Sequence, residues 1–364
     1  MSYLKIEHTE IPMISFGKLK SDLHQAPFAL KQFAGLLDRR YLIAFGAGNA
    51  FHGLRATIDL PFCCVIDDTP DYAGQSIDGL PIRSTPSLAK RARKDLCVVI
   101  CANTTGAISR MSEKLRSFGL LYGEHFIDCS LLHEVSIAQR LKSRFNISTS
   151  NERFSLVHAL SRSLAVSNLS TISGSWLFTE LIESLSTSEN SYVAECGVYQ
   201  GANALVSLLS SPQLRSRYYE LFDSFEGLRE LSENDPKSRE GEFADANFYS
   251  LRERLAIFPK VRLTKGYFES TLPKLDRHDY VVVYVDCDLE NPTRFCCQYF
   301  WEKIEPGGYL LVHDYWFPDE KERAQSKANF LGVKRAVDRF FERLPHESMI
   351  FPETSHAVFR KPST

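Results

Sequence analysis

Two apolar runs that stop abruptly on acidic residues constrain this chain most: VVVYVDCD (residues 281–288) and LLVHDYW (residues 310–316). A continuous Val/Leu-rich run of this length reads as a strand of a parallel sheet, buried on both faces. Residues just beyond the carboxyl end of such a strand line the ligand crevice of an open α/β sheet. Asp286, Asp288 and Asp314 are therefore expected to converge at the mouth of one sheet, where a divalent cation or a polar substrate would sit.

The same strand–turn–helix logic recurs along the chain. In the first part, strands are predicted at YLIAF (41–45), FCCVIDD (62–68), LCVVICA (96–102) and HFIDCS (125–130), with a helix over 107–118 and a further short helix near 29–37. Strands alternating with helices imply a parallel sheet. A helical, Ser-rich stretch follows, including 151–166. A second alternating unit opens at SYVAECGVYQGAN (191–203), with strands at YYELFD (218–223), VRLTKG (261–266), YVVVYVD (280–286), YLLVHD (309–314) and HAVFRK (356–361). The fold class expected is α/β: two Rossmann-like, doubly wound parallel sheets, residues 1–135 and 191–364, joined by a helical connector over 136–190.

Bulk properties exclude several functions. The formal net charge is −2, so no basic field recruits nucleic acid or an anionic membrane. The longest apolar runs are strand-sized, well short of the roughly 20 residues of a membrane span. The first ten residues, MSYLKIEHTE, carry charge early and do not resemble a secretory signal. Nine cysteines without a CxxC pair read as reduced, buried thiols of a cytoplasmic protein, with a zinc site or a disulfide framework as the alternative.

In the second unit, Glu195, Gly197 and Gly201 sit in a turn between strand and helix, where glycines let a ligand approach the backbone. Asp223 ends the next strand, the place from which an acid accepts hydrogen bonds from ribose hydroxyls; an N-cap or turn role is the alternative. In the first unit, GAGN (46–49) begins a dinucleotide-type turn, but Phe51 stands where the third glycine of the fingerprint belongs, which weakens a nicotinamide-cofactor reading. Asp67 and Asp68 are its candidate ribose acids or simple turn residues.

Six ordered blocks, AECGVYQGAN, LFDSFEGL, KGYFESTLP, YVDCDLENPT, EPGGYLLVHDY and GVKRAVDRFF, resemble the macrocin (TylF-type) O-methyltransferases over about residues 170–364. The resemblance implies a class I methyltransferase fold, S-adenosylmethionine as methyl donor, a sugar hydroxyl as acceptor and a divalent metal, magnesium or manganese, that helps to ionise the acceptor. Carried over by position, Glu195, Gly197 and Gly201 would shape the pocket for the methionine end, Asp223 and Ser224 would hold the ribose, and Gly266, Tyr267 and Phe268 would lie along the adenine. Asp286 and Asp314 would bind the metal. The chain departs from the family where two adjacent aspartates are usual: it has His313 and Asp314, and Cys287 in place of a glycine. His313 is left as metal ligand, general base or packed strand-end residue. The segment 241–250 is either part of a lid or a solvated loop leading into a helix.

Residues 38–130 resemble the small Rossmann-like domain that precedes bacterial sugar-modifying acyltransferases and some methyltransferases. That implies a nucleotide-linked or polymer-linked sugar, or an accessory nucleotide, held by the first unit; a dimerisation or scaffold module is the alternative. The expected activity is sugar O-methylation in polysaccharide or glycosylated natural-product assembly, by a homo-oligomer acting on a sugar or nucleotide-sugar. A non-catalytic scaffold subunit and a nicotinamide oxidoreductase are the competing readings.

Overall fold

The computed structural model describes residues 13–18, 35–72, 74–164, 171–186, 190–275, 279–316 and 330–363. The helix expected near 29–37 falls mostly outside them; residues 35–37 are helical. Two sheets carry the architecture. The first has six strands in the order β3-β4-β2-β1-β5-β6, built from β1 (Tyr41–Phe45), β2 (Cys64–Ile66), β3 (Ser76–Ile77), β4 (Leu80–Arg83), β5 (Leu96–Ile100) and β6 (Phe126–Asp128). All its pairings are parallel except the β3–β4 hairpin, which turns on Asp78 and Gly79, both at positive φ. That hairpin escaped the sequence reading because its strands are short and largely exposed.

The second sheet has seven strands in the order β12-β13-β11-β10-β7-β8-β9. They are β7 (Tyr192–Cys196), β8 (Tyr218–Asp223), β9 (Val261–Lys265), β10 (Tyr280–Val285), β11 (Ile304–Val312), β12 (Glu347–Phe351) and β13 (His356–Arg360). Only β13 runs antiparallel to its neighbours. β10 is buried at every residue, as its unbroken apolar run requires. β12, ESMIF, was not expected: three of its five residues are only partly buried, and its strand character comes from pairing with β13.

Register places the site. Val285 pairs with both Cys196 and Val312, and Cys196 pairs with Phe222. The next residue on each strand, Asp286, Gly197, His313 and Asp223, therefore emerges along one edge. The order reverses between β7 and β10, the switch point where open α/β sheets bind ligands. The first sheet has the same switch between β1 and β5.

α1 (Asn49–Arg55) and α2 (Thr105–Ser117) belong to the β1 and β5 crossovers, and α3 (Ser130–Phe145), α4 (Asn151–Ser163) and α5 (Ile172–Glu183) follow the first sheet. The helices of 136–190 do more than connect. Trp176, Leu177, Phe178, Leu181 and Ile182 on α5 are fully buried, and the helix is buried nearly all round. A single hydrophobic cluster runs from β1 and β5 through α3 and α5 to β7 and β10. A second covers the opposite face of the second sheet, under α8 (Glu290–Lys303) and α9 (Leu331–Phe341). The two halves also meet through polar and backbone contacts. Arg140 on α3 forms a 2.7 Å ion pair with Glu353, both buried, and Gly53 on α1 packs where a Cβ would lie 2.6 Å from the carbonyl oxygen of Pro352.

Candidate active site

A cleft of about 470 Å³ opens at the carboxyl edge of the second sheet, within the range of small-molecule sites. Its floor is the turn after β7. Gly197 has φ +89° and gives way to the backbone of Asp286, whose carbonyl oxygen would lie 1.8 Å from a Cβ there. Gly201, φ +80°, precedes α6 (Ala202–Ser210); a side chain there would collide with Leu251 of α7 (Phe248–Leu255). Gly201 thus shapes the turn without lining the cleft. Tyr199 holds φ 50° without the freedom of a glycine, a conformation that local contacts must impose. They are the Asp223 carboxylate, which accepts from the amides of Val198 (2.8 Å) and Tyr199 (2.9 Å), and Asp245, which accepts from the Tyr199 hydroxyl at 2.9 Å.

Asp223 therefore braces the turn. Its second oxygen accepts from the Phe225 amide at 2.7 Å, so three of its lone pairs are committed to backbone. Ser224 lines the cleft and accepts from the Glu226 amide. Glu195 is 1% exposed, and its carboxylate accepts from the Tyr219 hydroxyl. Burial pushes its pKa up to about 8, against the lowering effect of its hydrogen bonds. Tyr267 and Phe268 form the opposite wall, with the Tyr267 hydroxyl donating to Glu226 at 3.2 Å. Gly266, φ +141°, starts that wall but does not itself line the cleft.

At the far end, Asp286, His313 and Asp314 bring one ligand atom each to within 4.8 Å of one another. His313 Nδ1 lies 2.9 Å from Asp286 Oδ1 and 3.5 Å from Asp314 Oδ1. Burial alone would lower the His313 pKa, but the charges of Asp314 and Asp286 outweigh it and raise it to about 10. Asp314 and Asp288 are both pushed up, first by burial and then by the neighbouring acids. Both have positive φ, 57° and 61°, which aspartate tolerates better than most residues. Asp288 stands outside the three-residue group and pairs with Arg239 at 3.1 Å. Behind Asp286, the Tyr284 hydroxyl donates to its carboxylate at 3.3 Å, and His356 Nε2 lies 3.0 Å from that hydroxyl.

Arg239 is the site residue that sequence reading missed. It is 5% exposed, stacked over Phe330 with its guanidinium carbon 4.4 Å from the ring centroid, and pairs with Glu242 and Asp288. It stands in KSREGEF, a charged stretch with no apolar period to mark one side chain as buried. The neighbouring 241–250 segment both walls the cleft and leads into a helix. Phe243 lines the cleft against Tyr199, and Asn247 caps α7. Cys287, where the family has glycine, points away from the acids, 3.9 Å from Cys296 Sγ. All nine cysteines are unpaired, eight of them buried and Cys63 exposed. Among the described residues, the acid–histidine group is the one cluster with metal-ligand spacing.

The chain is similar to enzymes that methylate glycosylated natural products. The mycinamicin III 3''-O-methyltransferase of Micromonospora griseorubida is 25% identical over 164 residues, which cover 40% of this chain and 63% of that protein. An 8-demethyl-8-(2,3-dimethoxy-alpha-L-rhamnosyl)-tetracenomycin-C 4'-O-methyltransferase of Streptomyces olivaceus is 26% identical over 136 residues, 34% of this chain and 52% of that protein. The chain thus spans between about half and two thirds of the length of these relatives. Among solved structures, the O-methyltransferase NovP aligns over 65% of this chain and all of its own, at 20% identity and a TM-score of 0.45. Residues 178–335, from α5 through the site to α9, match the family described as macrocin-O-methyltransferase (TylF).

Proposed function

We propose that the chain transfers a methyl group from S-adenosylmethionine to a hydroxyl of a sugar, with a divalent cation held by Asp286, His313 and Asp314. The observation that carries this reading is the convergence of those three ligand groups, within 4.8 Å, on the same cleft as the Gly197 turn. The family match over 178–335 and the sugar-directed names of two relatives support it.

The donor set suits a divalent ion. Two carboxylates and an imidazole accept magnesium less readily than manganese, iron or zinc, because nitrogen is a softer ligand than oxygen. Without a metal, the positive charges of His313 and Arg239 offset the acids, and an imidazole held near pKa 10 is already protonated at neutral pH. A cation between Asp286 and Asp314 would displace that proton, and the convergence of one ligand atom from each of the three residues within 4.8 Å favours ligation among the roles open to His313.

The sulfonium donor supplies an activated methyl group, and the cation lowers the pKa of the acceptor hydroxyl. The chain's own residues do the positioning. Asp223 fixes the turn that receives the donor, and Gly197 keeps that turn against Asp286. The buried carboxyl of Glu195 would be ionised by a cationic methionine end, since an opposite charge favours the charged form. Tyr267 and Phe268 offer an aromatic wall for adenine. Arg239 holds Asp288 aside, leaving the three ligands turned to the cleft. Unpaired thiols throughout fit a reducing, cytoplasmic setting, and no helix among the described residues is long and apolar enough to cross a membrane.

The test is titration of the purified chain with S-adenosylhomocysteine, followed by incubation with S-adenosylmethionine, manganese and methyl glycosides. Mass gain of one methylene that disappears on chelation is the expected result. Absence of binding heat with S-adenosylhomocysteine removes the reading.

A further inference from the structure

The methyl-donor turn and the acid–histidine group account for only part of the cleft. Its remaining lining includes Asn49, Asn103 and Thr104, from the first sheet, with Thr171 and Ser355 between the two sheets. Asn49 follows β1 and Asn103 follows β5, the two strands at which the order of the first sheet reverses. The switch points of both sheets therefore open on one cavity.

The first sheet repeats the construction of the second. Gly46, φ +106°, would place a Cβ 2.7 Å from the carbonyl oxygen of Cys101 on β5's extension, just as Gly197 meets Asp286. Asp67 braces the turn by accepting from the amides of Ala47 and Thr69, both at 2.9 Å, as Asp223 does in the second sheet. Asp68 is engaged by Thr85 and by Lys114 at 2.6 Å. Both candidate ribose acids of the first unit thus already have partners within the chain.

What faces the cavity from this side is uncharged. Asn49 and Asn103 are half-buried, and neither side chain has a hydrogen-bond partner among the described residues. Carboxamides and hydroxyls of this kind both donate and accept, which matches the vicinal hydroxyls of a sugar. Among the described residues, the basic side chains of the lining are Arg229, Arg239 and His313, all from the second unit and all paired with acids. Among the described residues, the first sheet's side of the lining offers no cation to a diphosphate. The two walls are also fixed to each other by the buried Arg140–Glu353 pair and the Gly53–Pro352 contact.

We propose that the carboxyl edge of the first sheet is the acceptor-binding wall, and that Asn49 and Asn103 hold an uncharged glycoside there rather than a nucleotide-sugar. What then happens to the bound sugar rests on the methyltransferase reading; the binding does not.

The experiment uses the full chain and saturation-transfer NMR with methyl glycosides of rhamnose, glucose, galactose and mannose, beside dTDP-rhamnose. At least one methyl glycoside is expected to bind. Its affinity should fall about tenfold in the Asn49→Ala/Asn103→Ala double variant, the loss of one or two neutral hydrogen bonds, and recover in part in Asn49→Ser/Asn103→Ser. Affinity for S-adenosylhomocysteine and the melting temperature should hold in both variants. The proposal is overturned if no methyl glycoside binds, if the alanine pair leaves binding unchanged, or if dTDP-rhamnose binds best and loses that binding in the alanine pair. Glycoside binding without S-adenosylhomocysteine binding would instead sink the methyltransferase reading and leave the wall standing.

Discussion

A Cβ on Gly197 would lie 1.8 Å from the carbonyl oxygen of Asp286. The turn assigned to the methyl donor and the loop bearing the first metal ligand are therefore in backbone contact, and any side chain at 197 must push them apart. The left-handed φ of +89° adds a penalty of about 1–2 kcal/mol for a non-glycine residue, and overpacking about 1–3 kcal/mol more. Gly197→Ala should lower the melting temperature and cut S-adenosylhomocysteine affinity by at least an order of magnitude. Calorimetry on the folded fraction checks both, and a variant that binds like the wild type refutes the contact.

Asp286 and Asp314 carry the proposed metal. Changing either to asparagine keeps the shape and removes a charged ligand. Metal affinity should drop by about a hundredfold or more, seen as loss of the manganese-induced thermal shift, and methyl transfer should fall with it. Affinity for S-adenosylhomocysteine should stay within a few-fold, because neither residue braces the donor turn. Equal loss of donor binding would mean that the acids hold the donor instead.

The alternation of strand and helix, the position of the glycine turns and the acids at strand ends were all legible in the sequence, because burial on both faces leaves unbroken apolar runs along β10 and over Tyr309–Val312 of β11. The β3–β4 hairpin and β12 were not, since half-exposed strands lose that signature. The role of Asp223 was half legible: its place at the strand end is set by sequence, but that its oxygens face the amides of 198, 199 and 225 is a matter of loop geometry. Arg239 and the polar wall at Asn49 and Asn103 depend on packing between segments far apart in the chain, which no local pattern records.

His313 gives a prediction about metal choice. An imidazole beside two carboxylates favours manganese over magnesium, whereas three carboxylates favour hard cations. His313→Asp should shift the order of metal-induced stabilisation toward magnesium. Thermal melts across a metal series read this directly; an unchanged order would show that His313 does not touch the ion.

Glu134 on α3 is 2% exposed, and neither carboxyl oxygen has a hydrogen-bond partner among the described residues. Burial, with a smaller contribution from Glu180, raises its pKa to about 8. The folded state then binds a proton that the unfolded state has released, so stability is present at low pH and is lost as pH rises toward 8. Below pH 6.5 the neighbouring His133, lowered to about 4 by burial, works in the opposite sense. Between pH 6.5 and 8 the carboxyl acts in the same sense as Glu195, also raised to about 8, each with a slope of at most about 1.4 kcal/mol per pH unit. Glu134→Gln should flatten the fall in melting temperature over that window; an unaltered slope would place the proton elsewhere.

The Arg140–Glu353 pair tests whether the two sheets depend on one another. Both side chains are buried, with Arg140 Nη1 2.7 Å from Glu353 Oε2, and Arg140 Nη2 and Glu353 Oε1 have no hydrogen-bond partner among the described residues. Removing one member leaves an uncompensated charge in the core, at a cost of about 3–5 kcal/mol. Arg140→Met and Glu353→Gln should each destabilise strongly. Arg140→Met/Glu353→Leu should cost much less than the sum, since an apolar pair of similar volume carries no stranded charge. If the pair joins the walls of one cavity, a single variant should also weaken glycoside binding, and the double variant should restore it. Additive losses in a denaturant-melt cycle would mean that the pair does not couple the two sheets, and that the fixed geometry of the shared cavity comes from the packing of α3 and α5 and the Gly53–Pro352 contact.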